Sequence, residues 1–194
     1  MTKGEDTKQA ILDQAVDLAS TVGFDKLTIG SLASVTGMSK SGLFAHFKSK
    51  EQLQIQVLEE ARQRYIDTVV APALKKPRGE ARIRAIFENT MHEWEKQLPG
   101  GCIFYAVSAE LDDQPGPARD YLVQIQRDQR DMLRRAAEIA IEEGEFRKDL
   151  DVDQFVFELA SITGAYHHFG RLMHDPDAER HAFQALESLL ERAR

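Results

Sequence analysis

The stretch from Leu27 to Leu53, LTIGSLASVTGMSKSGLFAHFKSKEQL, constrains the fold more than any other part of the chain. It contains two helical runs, each too short to persist alone in water. Thr28 is placed to cap the first, its hydroxyl accepting a bond from an otherwise unpaired backbone N–H. Leu32, Ala33 and Val35 follow, and Ala33 is small enough to let a second helix cross closely. Gly37 supplies the positive φ that a sharp reversal needs. Met38 is expected to turn back into the core, and Ser39 to cap a helix running to about Phe47. Leu43, Phe44 and Phe47 fall three and four apart, which predicts one buried face on that helix. Lys40, Ser41 and His46, with Gly42 among them, are left for the opposite face. Two such helices across a glycine turn make a helix-turn-helix, a motif whose second helix fits the DNA major groove.

The rest of the chain reads as helix as well. Residues 5–22 repeat Ile11, Leu12, Ala15, Val16, Leu18, Ala19 and Val22 at helical spacing, and Gly23 ends the run. Phe24 and Leu27 are expected to plug the bottom of a three-helix core. From Ser49 a long helix is predicted to about Val70, stopping near Ala71-Pro72 because a helical residue before proline is disfavoured. No linker interrupts this helix, which makes it a lever common to both halves of the chain. Further helices are predicted over about 80–97, 103–112 and then to roughly 143, with Pro99-Gly100-Gly101, Gln114-Pro115-Gly116-Pro117 and Gly144 as the breaks. The run at about 152–174 is apolar nearly all round, so it must be covered on both sides. The last, at about 177–193, carries Phe183, Leu186, Leu189, Leu190 and Ala193 as one stripe. No strand pattern, repeat or low-complexity segment is evident.

At Thr28, at Ala33 four residues ahead of Gly37, and through SKSGLFAHFKSKEQL, the chain resembles the TetR family of bacterial transcriptional regulators. The likeness is strong over roughly residues 8–60, with a weaker echo in PGGCIF (99–104) and AELDDQPGPARDYL (109–122). It implies an all-α protein of about nine helices. A DNA-binding domain would occupy residues 1–50, with the first turns of the fourth helix reaching about 60. A helical effector-binding and dimerisation domain would occupy residues 51–194. It further implies a cytoplasmic repressor that binds a near-palindromic double-stranded DNA operator as a homodimer and releases it to a small-molecule effector, apolar or aromatic. Residues near Ser39, Lys40 and Ser41 would reach base edges or phosphate. Phe44 stands where the family usually has a phosphate-binding tyrosine, so it either touches a thymine methyl or sugar, or belongs to the core.

Residue chemistry adds detail to that expectation. Lys48 and Lys50 flank a helix start, where lysine and N-terminal amides together favour a phosphate. Thr28 is a second phosphate candidate beside its capping role, and His46 fits packing and a phosphate side better than base reading. Gly42 is either a tolerated defect in a short helix or a point of close approach to DNA. Phe87, Met91, Trp94, Phe104, Tyr105, Met132, Tyr166 and His167 are candidates to line an effector cavity, ordinary core packing being the alternative. Phe157, Gly164, His168, Phe183, Leu186 and Leu190 are candidates for a two-fold interface built from the last two helices.

The formal net charge of −7 argues against DNA only until its distribution is considered. Residues 1–50 hold six lysines and five acids, a net of +1, which leaves −8 on the other 144 residues. Phosphate contact is therefore expected from a few lysines, hydroxyls and backbone amides rather than from a broad basic patch. No apolar run approaches the ~18–20 residues of a membrane helix, and the start MTKGEDTKQAILDQ lacks a signal-peptide core. The lone cysteine, Cys102, excludes an internal disulfide framework. It follows a glycine pair and is either a thiol that switches the regulator on oxidation or a small buried apolar residue. A protein partner is the other alternative to a small-molecule effector. His167-His168 lacks the i+4 partner of a helical zinc pair, so neither a metal nor a cofactor is expected. No G-x-S-x-G, H-E-x-x-H or glycine-rich phosphate loop supports an enzyme. Glu110-Leu111-Asp112-Asp113 reads as a solvated helix end.

Overall fold

The computed structural model describes residues 3–194. Nine helical runs and no strand are found among the described residues: α1 (Lys3–Val22), α2 (Ile29–Thr36), α3 (Lys40–His46), α4 (Lys50–Tyr65), α5 (Glu80–Asn89), α6 (Ile103–Leu111), α7 (Pro117–Glu142), α8 (Val152–His167) and α9 (Ala178–Ala193). They pack as two units. The first takes the chain up to Tyr65 together with Leu98–Ile125, and the second takes Ile66–Gln97 and Gln126–Arg194.

In the first unit α1 supplies the surface on which the short helices rest. Its Ile11, Ala15, Val16 and Ala19 are buried, as are Phe24 and Leu27 in the connection that follows. Leu32 of α2 and Leu43 of α3 are fully buried, and so are Phe47, Leu53, Val57 and Leu58. Burial of each such side chain contributes roughly 2 kcal/mol, which is what holds helices of eight and seven residues that could not persist alone. Arg64 ties α4 to α1, bonding Asp13 at 2.7 Å and Asp17 at 3.3 Å while Glu60 braces it at 3.1 Å. The segment 98–111 also lies on α1: the Gly100 N–H donates to Ser20 Oγ at 3.0 Å in a buried bond. Ile103, Phe104 and Val107 of α6 are buried beyond it.

The second unit is built round Ile83, Phe87 and Met91, with Ala137 and Ala140 of α7, Phe155 and Leu159 of α8, and Leu186 and Leu190 of α9. Leu186 and Leu190, expected at a subunit interface, are 1% and 0% exposed in the protomer itself. The α9 stripe is taken up by the chain's own core: α8 packs along it, and Phe87 and Arg84 of α5 meet Phe183 and Glu187. Phe183 is partly buried, its ring 5.4 Å from that of Phe87 and nearly perpendicular to it.

Three helices widen into π turns where uniform α-helix was expected. Ile66–Val70 follows α4, Thr90–Trp94 follows α5, and His168–Leu172 follows α8. The first explains why the chain remains helical past the expected stop, through Ala71–Ala73. Pro72 has no N–H for the Thr68 carbonyl and its ring would clash there, and the wider turn relieves both problems. At the second, the Thr90 hydroxyl donates to the Ile86 carbonyl at 2.8 Å, a back-bond that bends helices. Asn89 Nδ2 also donates to the Val69 carbonyl at 3.0 Å, joining the two wide turns.

Candidate nucleic-acid interface

The helix-turn-helix is assembled by local hydrogen bonds. Thr28 caps α2 in a reciprocal box: its Oγ1 accepts the Ser31 N–H at 3.0 Å, and Ser31 Oγ accepts the Thr28 N–H at 2.9 Å. Gly37 ends α2 with φ 68°, and its N–H donates to the Ala33 carbonyl at 3.0 Å. Ser39 then caps α3, its Oγ accepting the Gly42 N–H at 3.1 Å. Ser49 caps α4 by accepting the Gln52 N–H at 3.1 Å, while Gln52 Oε1 takes the Lys48 N–H at 3.0 Å.

These caps leave α3 with one face inward and one outward. Leu43 and Phe47 point inward. Ser39, Lys40, Ser41 and Phe44 are exposed, and Gly42 and His46 are half-buried. Phe44 corrects the expected three-residue buried face: it is 57% exposed, while Leu43 and Phe47 are fully buried. Val35 of α2 is likewise 49% exposed, a second apolar side chain outside the core. A methyl group at Gly30 would stand 3.9 Å from Lys40 Nζ and 3.6 Å from Thr28 Oγ1, so the Lys40 chain lies back over the start of α2. Lys48 is exposed ahead of α4. Lys50 is turned toward the protein, donating to the Asp25 carbonyl at 3.1 Å. Residues 26–50 hold four lysines and no acid, a signal that the sum over residues 1–50 obscures.

The candidate effector residues divide between the units. Phe104 and Tyr105 belong to the first, where the Phe104 ring meets that of Tyr65 edge-on at 6.1 Å. Phe87, Met91, Trp94, Met132, Tyr166 and His167 belong to the second. Phe87, Met91 and Trp94 are buried, and Tyr166 packs against the core that Phe87 and Met91 join. His167 Nδ1 lies 3.2 Å from a carboxylate oxygen of Glu95, itself buried. His92 Nε2 and Lys96 Nζ share the Glu179 carboxylate at 3.0 and 2.9 Å, which holds the Lys96 ammonium above and the Glu179 carboxyl below their ordinary ranges. Burial pushes the Tyr166 hydroxyl up. Cys102 is buried where α6 begins. On α8 and its wide turn, Phe157, Phe169, Leu172 and Met173 are exposed, with His168 beside them and Gly164 half-buried. Glu110, read from sequence as solvated, instead accepts two backbone N–H groups of the α1–α2 connection. Among the described residues no cluster of three or more His, Cys, Asp or Glu is placed to hold a metal, and no helix is long and apolar enough to cross a membrane.

Comparison with known proteins agrees with this geometry at both ends of the chain. Residues 11–57 match the model for bacterial regulatory proteins of the tetR family, and residues 79–186 match that of the tetracyclin repressor-like C-terminal domain. The HTH-type transcriptional repressor KstR2 of Mycolicibacterium smegmatis is 30% identical over 152 residues, covering 73% of this chain and 70% of that protein. A TetR transcriptional regulator from Chloroflexus aurantiacus has the same fold, with TM-score 0.89 at 22% identity over 99% of this chain and 98% of its own. AibR, solved in complex with isovaleryl coenzyme A and operator DNA, superposes with TM-score 0.74 at 19% identity over 94% of this chain and 97% of its own. The chain belongs to the TetR family of bacterial regulatory proteins.

Proposed function

We propose that this chain is a cytoplasmic, ligand-responsive transcriptional repressor that binds a near-palindromic operator as a homodimer. The observation that carries the reading is the outward face of α3. A seven-residue helix, held from behind by Leu43 and Phe47, presents Lys40, Ser41 and the exposed ring of Phe44 on an acid-free stretch of chain. Lys40 and Lys48 would neutralise phosphates, and the Thr28 and Ser39 hydroxyls and the amides left at the helix starts would hydrogen-bond them. Phe44 in place of a tyrosine offers a thymine methyl or sugar an apolar contact rather than a phosphate bond. Lys50, held by Asp25, supports the surface and keeps two further N–H donors for phosphate.

Two-fold symmetry would place two such helices about one turn of the duplex apart. Phe157, Phe169, Leu172 and Met173 offer exposed apolar side chains for the subunit contact. The effector is read as a small molecule with an apolar or aromatic part, a reading supported by the isovaleryl coenzyme A held by AibR. It would act by preferring the conformer whose recognition helices are mis-spaced, since a ligand with equal affinity for both conformers shifts nothing.

The test is titration of a duplex carrying the palindrome that the protein selects from random sequence, at several salt concentrations. The reading expects Lys40→Ala to weaken binding and to lower the slope of log affinity against log salt by about one. Salt-independent affinity, or unchanged binding by Lys40→Ala and Lys48→Ala together, would overturn it.

A further inference from the structure

Glu110 lies near the C-terminal end of α6, far along the chain from the recognition helix, yet it holds the connection that leads into α2. Its Oε2 accepts the Phe24 N–H at 2.6 Å and the Asp25 N–H at 3.1 Å. Successive amides turned toward one point form a concavity suited to an anion, and here a carboxylate fills it with two charge-assisted bonds. The preceding residue, Gly23, has φ 73°, and a Cβ on it would lie 1.7 Å from Glu110 Oε1. The carboxylate thus occupies the room that any other residue at position 23 would need. Asp25 is gripped from both sides, since Glu110 takes its N–H and Lys50 Nζ takes its carbonyl.

The clasp sits at an edge, not in the core. A groove of about 290 Å³ borders it, lined by Phe24, Asp25, Lys50, Glu110 and Arg119 among others. Leu27, two residues beyond Asp25, is fully buried, and Thr28 opens the DNA-facing surface directly after it. The path from Glu110 to Thr28 is therefore one short tethered stretch of backbone. The turn that leads into α6 is also tied to α1, by the Gly100 bond to Ser20. Any displacement of α6 pulls on the connection through Glu110.

We propose that Glu110 is a positioning residue for operator binding: by clasping the Phe24 and Asp25 amides it sets the stance of α2, and through it the stance of Thr28 and Lys40 toward phosphate. This rests on the DNA-binding reading above. Electrostatics alone predicts the opposite sign for its removal. Deleting an acid from a DNA-binding unit strengthens attraction for phosphate, whereas losing the clasp weakens binding.

The test titrates the selected operator duplex with wild type, Glu110→Gln, Glu110→Asp and Lys40→Ala, each with its active fraction and melting profile recorded. Glu110→Gln is expected to bind about tenfold more weakly, as for loss of one charge-assisted bond, with a salt slope that falls by less than that of Lys40→Ala because the Lys40 ammonium is misplaced rather than removed. Glu110→Asp, which keeps the charge with a shorter reach, falls between it and wild type. The amide proton resonances of Phe24 and Asp25 move upfield in Glu110→Gln. If Glu110→Gln binds as tightly as wild type or more tightly while Lys40→Ala loses affinity and slope, the positioning role is wrong and the DNA surface stands. If Lys40→Ala is also without effect, the DNA surface itself is wrong and the role of Glu110 falls with it.

Discussion

Replacement of Gly100 by alanine is expected to be among the most damaging single-methyl additions this chain can receive. A Cβ there would stand 1.8 Å from the Ser20 carbonyl oxygen, 2.1 Å from its carbonyl carbon and 2.6 Å from the Thr21 nitrogen. All three are backbone atoms of α1, so no side-chain rotation relieves the clash. Ordinary contact begins at 3.4 Å, so the turn and the helix must part by about 1.5 Å. That movement breaks the 3.0 Å bond from the Gly100 N–H to Ser20 Oγ, in a place where Ser20 is only 4% exposed. Overpacking costs about 1–3 kcal/mol, and a stranded buried donor about 1–3 kcal/mol more. The sum, roughly 4 kcal/mol, is a large part of the ~5–15 kcal/mol by which a domain is stable. Urea unfolding followed by circular dichroism measures it, with Gly4→Ala as the control. Gly4 lies in α1 with nothing within 4 Å of a Cβ, so alanine there is expected to cost nothing. A Gly100→Ala midpoint within about 1 kcal/mol of wild type, at unchanged slope, would refute the close seating of this turn on α1.

Two further outcomes follow from the second unit. Phe157 is 68% exposed, so Phe157→Glu is expected to leave the protomer folded and, on the proposed homodimer contact through α8, to weaken self-association by about a hundredfold or more; a variant that sediments as wild type would move the proposed contact off α8. Glu80 accepts bonds from Arg194 at 2.6 Å and Arg84 at 2.7 Å, and these, Arg194 first, hold its carboxyl below the ordinary 4.5. A depressed folded value contributes stability above the ordinary carboxylate range and loses it as pH falls through the folded value. Glu80→Gln should therefore lower the urea midpoint at neutral pH and flatten its decline in acid, and parallel curves for the two proteins would remove Glu80 from the acid transition.

The reading head was legible because its determinants are local. Thr28, Gly37 and Ser39 act on amides within four residues of themselves, and those bonds form where the sequence places them. Phe44 was legible only in part. Spacing puts it beside Leu43 and Phe47, but whether the third member of an apolar triplet meets a neighbour depends on how the surrounding helices are placed, which spacing does not state. Glu110 was not legible at all. An acid among acids at a helix end reads as solvated, and its two partners are backbone groups of residues 86 and 85 positions away. Backbone amides carry no sequence signature. The nearest clue lay in the glycine at position 23, whose missing side chain makes the room.

Leu186 and Leu190 pose the same problem in the second unit. A stripe of apolar residues states that a helix is covered, not by what. With α9 taken up inside the protomer, the large apolar side chains left exposed in the second unit are Leu74 and, on α8 and at the end of its wide turn, Phe157, Phe169, Leu172 and Met173. That turn alters what spacing can predict. A π turn inserts one residue beyond the α-helical period, so every side chain after His168 comes round later than a 3.6-residue repeat would place it. Leu172, which ends the turn, and Met173 just beyond it are 71% and 57% exposed. A subunit contact proposed on this surface would therefore include the wide turn as well as α8, and a change that restored a regular α-helix there would move Leu172 relative to Phe157.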